Sequence, residues 1–149
     1  GLIVTIRHMP LITLVLLFLV ACGGSAVKRH SYAAQTLDDL AQTAKSIAMT
    51  QRGVALRQAG EAAIAAGTDV NAAVEAAALA YQAKINAVNA FINAKDLYIR
   101  AVLAAINKDA DLSTILPMLK DALAAYANLQ AVFKDDIPPI PSLVKEMIK

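Results

Sequence analysis

The side chains that could carry chemistry are few, and their spacing serves no familiar reaction. The chain has one cysteine, Cys22, and two histidines, His8 and His30. Both histidines precede the long helical segments, His30 falling in what reads as a tether, so no imidazole is expected on a bundle helix. A Glu-x-x-His carboxylate-bridged metal site is therefore excluded, and no thiol or hydroxyl has a histidine base beside it. Asp109-x-Asp111-x-Ser113 begins like a calcium-binding loop. Thr114 stands where that loop needs glycine, and Lys120 where it needs a bidentate glutamate, so these side chains read as turn and cap residues. Gly53, Gly60 and Gly67 are not followed by the lysine of a phosphate-cradling loop. Pro138-x-x-Pro141 fits a minimal polyproline ligand but reads more simply as a rigid connector. No catalytic, cofactor-binding or metal-ligating residue is expected. The chain does not read as an enzyme.

Composition narrows the class further. Of 149 residues 32 are alanine, 58% are hydrophobic and 17% are charged. Alanine is the best helix former and a weak strand former, which argues against an all-β fold. High apolar content with a net charge of +2 argues against disorder and gives no electrostatic footprint for nucleic acid. A single cysteine excludes an internal disulfide framework and a Cys-x-x-Cys site.

The first residues read as an address. Arg7 and His8 precede an unbroken apolar run from Leu11 to Ala21, which ends at Cys22. As a helix this run would reach roughly 17 Å, about half the hydrocarbon thickness of a bilayer. That suits the apolar segment of a secretory signal better than a membrane span. Leu19-Val20-Ala21-Cys22 resembles the lipobox of bacterial lipoproteins, and the chain's one cysteine closes it. The resemblance covers these four residues and the run before them. It implies removal of residues 1–21, a diacylglyceryl group on Cys22, and further acylation of the new amino group. Two or three acyl chains, at about 0.8 kcal/mol per buried CH₂, hold a protein stably where one is marginal. In such lipoproteins Asp after the cysteine favours retention in the inner membrane. Gly23-Gly24-Ser25 here implies the outer membrane, facing the periplasm. An ordinary signal peptide with an incidental cysteine and a short uncleaved anchor are the rival readings.

Residues 22–30 then form the lipidated cysteine and a flexible tether. Within it Lys28-Arg29-His30 is either a solvated linker or a contact for anionic head groups. A helical bundle is expected over 31–136. Its first helix should run from 31 or 32 to 66, with a stripe at Leu37, Leu40, Ala44, Ile47 and Val54 and a polar gap at Gln51. Gly53, Gly60 and Gly67 recur every seven residues, as a close neighbouring helix would allow. Gly67 is the expected C-cap, with Thr68 or Asp69 capping the next helix.

The second helix, 69–107, has the clearest pattern. Positions 70, 74, 77, 81, 85, 88, 92, 95, 99, 102 and 106 keep a 3.6-residue period, and Lys95 alone interrupts their apolar character. Its back is apolar as well, with Leu79, Ala83, Ala90, Leu97 and Ala101 beside a polar strip of Gln82, Asn86, Asn89, Asn93, Asp96 and Arg100. A helix needing cover on two sides is central in its bundle or docks on another chain. Those five back-face residues are the candidate interface, for a second copy or a protein partner. A third helix spans 113–133 with Pro117 near its start. Residues 137–149 give a Pro-rich connector and a short last helix from Ser142 to Lys149.

These elements predict an all-α fold: an elongated up-down-up three-helix bundle of long Ala-rich helices with a Pro-rich tail. The functional expectation is a non-enzymatic, lipid-anchored structural or protein-interaction module of the envelope. Its format resembles small lipoproteins carried by phages and mobile elements. The alternative is a periplasmic carrier holding an apolar small molecule near Tyr81, Ile85, Val88 and Phe91.

Protein extracted from membranes should have the mass of residues 22–149 plus acyl chains. Cys22→Ser should release the protein from membranes in a high-salt wash. Equal retention of that variant overturns the lipobox assignment.

Overall fold

The computed structural model describes residues 25–107 and 112–149. Leu19-Val20-Ala21-Cys22, the run before it and the whole acidic loop Asp109–Asp111 lie outside them. Among the described residues four α-helices, α1 (Ser25–Ala66), α2 (Val70–Asn107), α3 (Leu116–Phe133) and α4 (Ser142–Glu146), form an all-α bundle. No strand occurs among the described residues. At 1.5 Å per residue α1 is about 63 Å long, so the molecule is a rod.

The turn between α1 and α2 follows from three consecutive residues. Gly67 takes φ +69°, the left-handed conformation that costs glycine least. This lets Thr68 N–H donate to Ala63 C=O at 2.9 Å and Gly67 N–H donate to Ile64 C=O at 3.2 Å, a Schellman closure of α1. Asp69 Oδ1 then accepts from Ala72 N–H at 3.2 Å and caps α2. The chain therefore reverses within three residues, and α1 and α2 lie antiparallel. Gly60 is the point of close approach: a Cβ there would sit 3.5 Å from Val74 and 3.8 Å from Val70. Gly53 faces open space, so the seven-residue glycine spacing does not mark one continuous contact line.

The helix α2 is central. It packs along α1 on one side and α3 on the other, and these two interfaces dominate the fold. Phe91 and Tyr126 meet edge to face at 4.9 Å across the α2–α3 interface, both fully buried. Tyr98, Leu37, Val102, Leu119, Leu129 and Val144 are fully buried with them. The third helix begins later than its sequence pattern suggests: Leu112–Ile115 is a 3-10 turn, and the α-helix starts at Leu116 with proline in its first turn. Pro117 has no N–H to donate, which is harmless only at a helix start.

The third helix is also too short to accompany the other two. It ends near the level of Lys84, whose ammonium lies 5.3 Å from the Tyr81 ring and 5.6 Å from the Phe133 ring. Beyond that level α1 and α2 continue as a bare two-helix hairpin. Between residues 49 and 80 only Gly60 and Ala63 are buried. From Phe133 the chain turns back toward the start of α1, seating Ile137, Ile140 and Val144 in the core. Tyr126 OH donates to Pro138 C=O and fixes this return. The last helix is shorter than expected, stopping at Glu146 instead of Lys149.

Burial sets the expected cost of truncation. Phe91→Ala should destabilise the protein by about 3–5 kcal/mol, while Leu79→Ala should stay within about 0.5 kcal/mol. Urea unfolding followed by helicity measures both.

Candidate functional site

The tether is shorter than its sequence implies, because α1 begins at Ser25 and residues 25–30 are its first turns. His30 is consequently a bundle residue. It is buried, and its Nδ1 lies 2.7 Å from Tyr98 OH, a hydrogen bond between α1 and α2. The two rings are 5.9 Å apart and tilted. Loss of water around it lowers the histidine's pKa from 6.5, and burial raises that of the Tyr98 hydroxyl. A neutral imidazole and a neutral phenol satisfy one another without charge. Ser31 Oγ, next in the chain, is buried with no hydrogen-bond partner among the described residues.

Lys95 breaks the apolar stripe of α2 and is almost buried. Its ammonium is 2.7 Å from Asp38 Oδ1 on α1 and 2.7 Å from Asp96 Oδ1 beside it. Burial opposes the charged form, but the two carboxylates outweigh it and hold the lysine above its ordinary value. Higher up, the polar gap at Gln51 is a junction. Tyr81 OH donates to Gln51 Oε1 at 3.2 Å, and Gln51 Nε2 donates to Asp136 Oδ2 at 3.0 Å. Burial and the nearby Asp136 charge raise the Tyr81 pKa. One amide thereby ties together α1, α2 and the turn after α3.

None of these clusters has the form of a reaction centre. His30 has a phenol as its partner and no nucleophile within the pair. Lys95 is saturated by two carboxylates, which leaves it no role as a base. Among the described residues no group of three or more His, Cys, Asp or Glu side chains could hold a metal ion. No described helix is long and apolar enough to cross a membrane.

The back of α2 is uncovered. Leu79 is 76% exposed and Leu97 58%, with Ala83 and Ala90 exposed between them and Ala101 partly buried. Gln82, Asn86, Asn89, Asn93 and Arg100 are exposed along one flank. Gln82 Nε2 donates to Asn86 Oδ1 at 2.9 Å within that strip. Protein-family models, curated proteins and solved structures give no significant match. Near the hairpin tip Ile64 is 69% exposed and Val54 and Val70 are partly uncovered, Val70 on the side of α2 that faces Gly60. Where the carrier alternative needs a cavity, Tyr81, Val88 and Phe91 are buried in the core and Ile85 is packed against it.

The buried histidine makes stability depend on pH. Unfolding restores its ordinary value of 6.5, so just below that pH the unfolded chain binds more protons than the folded one. Stability should be full above the unfolded value and fall as pH drops through the lowered, folded one. Urea midpoints taken between roughly pH 7 and pH 5 should decline, before ordinary carboxylates begin to titrate. His30→Gln should flatten that decline.

Proposed function

We propose that the protein is a non-enzymatic, lipid-anchored helical module of a bacterial envelope, held by acyl chains on Cys22 and engaging another copy of itself. The observation that carries the reading is the exposed apolar line on α2, with Leu79 and Leu97 five helical turns apart and small alanines between. At 1.5 Å per residue the line is about 27 Å long. Alanines let a second helix approach near the lower end of the usual 8–10 Å separation. A single exposed leucine needs no partner, whereas exposed leucines and alanines aligned on one face form the kind of apolar strip that marks an interaction surface.

The anchor favours one arrangement of the pair. Two chains held in one leaflet through the same end meet side by side and parallel. A two-fold axis along the rod then sets Leu79 against Leu79 and Leu97 against Leu97, a self-complementary contact. The outer membrane, facing the periplasm, is the location that Gly23-Gly24-Ser25 supports. The carrier reading is weaker, because Phe91 and Tyr126 pack edge to face where a ligand would have to sit.

Leu79→Lys with Leu97→Lys should lower the assembly state while helicity is unchanged, measured by light scattering and circular dichroism. Unfolding of the single chain would mean that the line is internal cover for α1 or α3. No change in mass or stability would mean that the leucines are merely exposed, and the self-association reading would fall.

A further inference from the structure

The base of the rod carries a patch that the self-association reading does not use. The first turns of α1 and the short α4 lie against each other there. Lys28, Arg29, Tyr32, Leu143, Glu146 and Met147 line a groove of about 370 Å³ between them. Leu143 is 67% exposed and Tyr32 42%, so the wall is apolar where it meets water. Among the described residues, four exposed cations, Lys28, Arg29, Lys145 and Lys149, stand around it against one side-chain carboxylate, Glu146. That carboxylate is already engaged by Lys149 at 2.9 Å. The opposite end has no such excess: over residues 50–81, Arg52 and Arg57 are set against Glu61, Asp69 and Glu75. At the base, α3 contributes Lys120 and Asp121, which cancel.

We infer that this basal patch is a docking surface for an anionic phospholipid leaflet, with Leu143 and Tyr32 entering the interface and the four cations meeting lipid phosphates. Charge decides between a membrane and a protein partner. A net positive rim around exposed leucine and tyrosine is the pattern that anionic lipid surfaces attract. Long cationic side chains also lay their stems along an apolar surface while their heads reach phosphate. Position agrees. Cys22 is three residues before the start of α1, so even an extended link reaches only about 10 Å. That part of the argument rests on the lipid-anchor reading; the patch itself does not. With its base on the leaflet, the rod stands up from the membrane, which is the posture a parallel pair requires.

Lysine footprinting with a membrane-impermeant acylating reagent tests the inference on the full chain, purified from membranes and reconstituted. Vesicles of phosphatidylcholine are compared with vesicles that also contain phosphatidylglycerol, and modification is quantified site by site by mass spectrometry. Lys28, Lys145 and Lys149 should react at least about fivefold more slowly on the anionic vesicles, with Lys45 on the exposed flank of α1 unchanged; each cation near such a surface contributes roughly a factor of five to the contact. High salt should restore reactivity. Lys28→Glu with Arg29→Glu should abolish the protection of Lys145 and Lys149 while circular dichroism is unchanged. Equal reactivity on both vesicles overturns the inference. So does protection that appears in detergent as protein concentration rises, which would assign the patch to a second copy. The same spectra report acylation of Cys22. Protection without acyl chains removes the anchor and leaves the patch, whereas acyl chains without protection do the reverse.

Discussion

The second helix carries apolar side chains around most of its circumference, and water would penalise that surface unless other helices covered it. Each fully buried large side chain contributes about 1.5–3 kcal/mol, which must offset the entropy of ordering a long chain. With α1 on one side and α3 on the other, α2 places Phe91, Tyr98 and Val102 out of contact with water. The remaining features follow from this geometry. The tight Gly67–Asp69 turn holds α1 antiparallel to α2, and the return from Ile137 through Ile140 to Val144 covers the core down to its lower end.

Polar groups inside that core set its register. The Lys95–Asp38 pair and the His30–Tyr98 pair both cross from α1 to α2, so a slip of one turn would strand a buried ammonium or a buried phenol. Breaking a buried ion pair by removing one partner costs about 3–5 kcal/mol, whereas a hydrophobic replacement of the pair is often neutral. Such groups contribute little net stability, but they penalise the wrong alignment of two alanine-rich faces. Those faces are otherwise nearly featureless, since alanine offers few shapes that distinguish one register from the next. Gln51 repeats the device where α1, α2 and the turn after α3 meet.

Much of the fold was legible because a 3.6-residue period over 36 residues leaves little room for another structure. The caps at Gly67 and Asp69 were legible for the same local reason. His30 was misjudged. Its spacing to Ala33, Ala34 and Leu37 already continues the buried stripe upstream, but the adjacent Lys28 and Arg29 give the segment the look of a linker. The groove beside Leu143 could not be read at all, because it depends on the proline-bearing return bringing residue 147 back toward residue 26. Pattern analysis sees faces of single helices; it does not see which distant segments share an end. Leu79 and Leu97 were legible as one line from their angular position on α2, but the sequence left open whether the bundle itself covers that line; both are exposed.

The unequal lengths of the helices grade the rod along its axis. Toward the base α2 is held by both α1 and α3, while the tip, residues 49–66 of α1 and 70–80 of α2, has one interface and two buried residues, Gly60 and Ala63. Its backbone hydrogen bonds should open at a free energy far below that of global unfolding, whereas those beside Phe91 and Tyr126 should open only with the whole. Amide exchange would therefore run as a gradient from fast at Gly67 to slow at the level of Tyr98. A protein built this way presents its most adaptable segment farthest from its base, where reshaping the tip need not disturb the core that positions it.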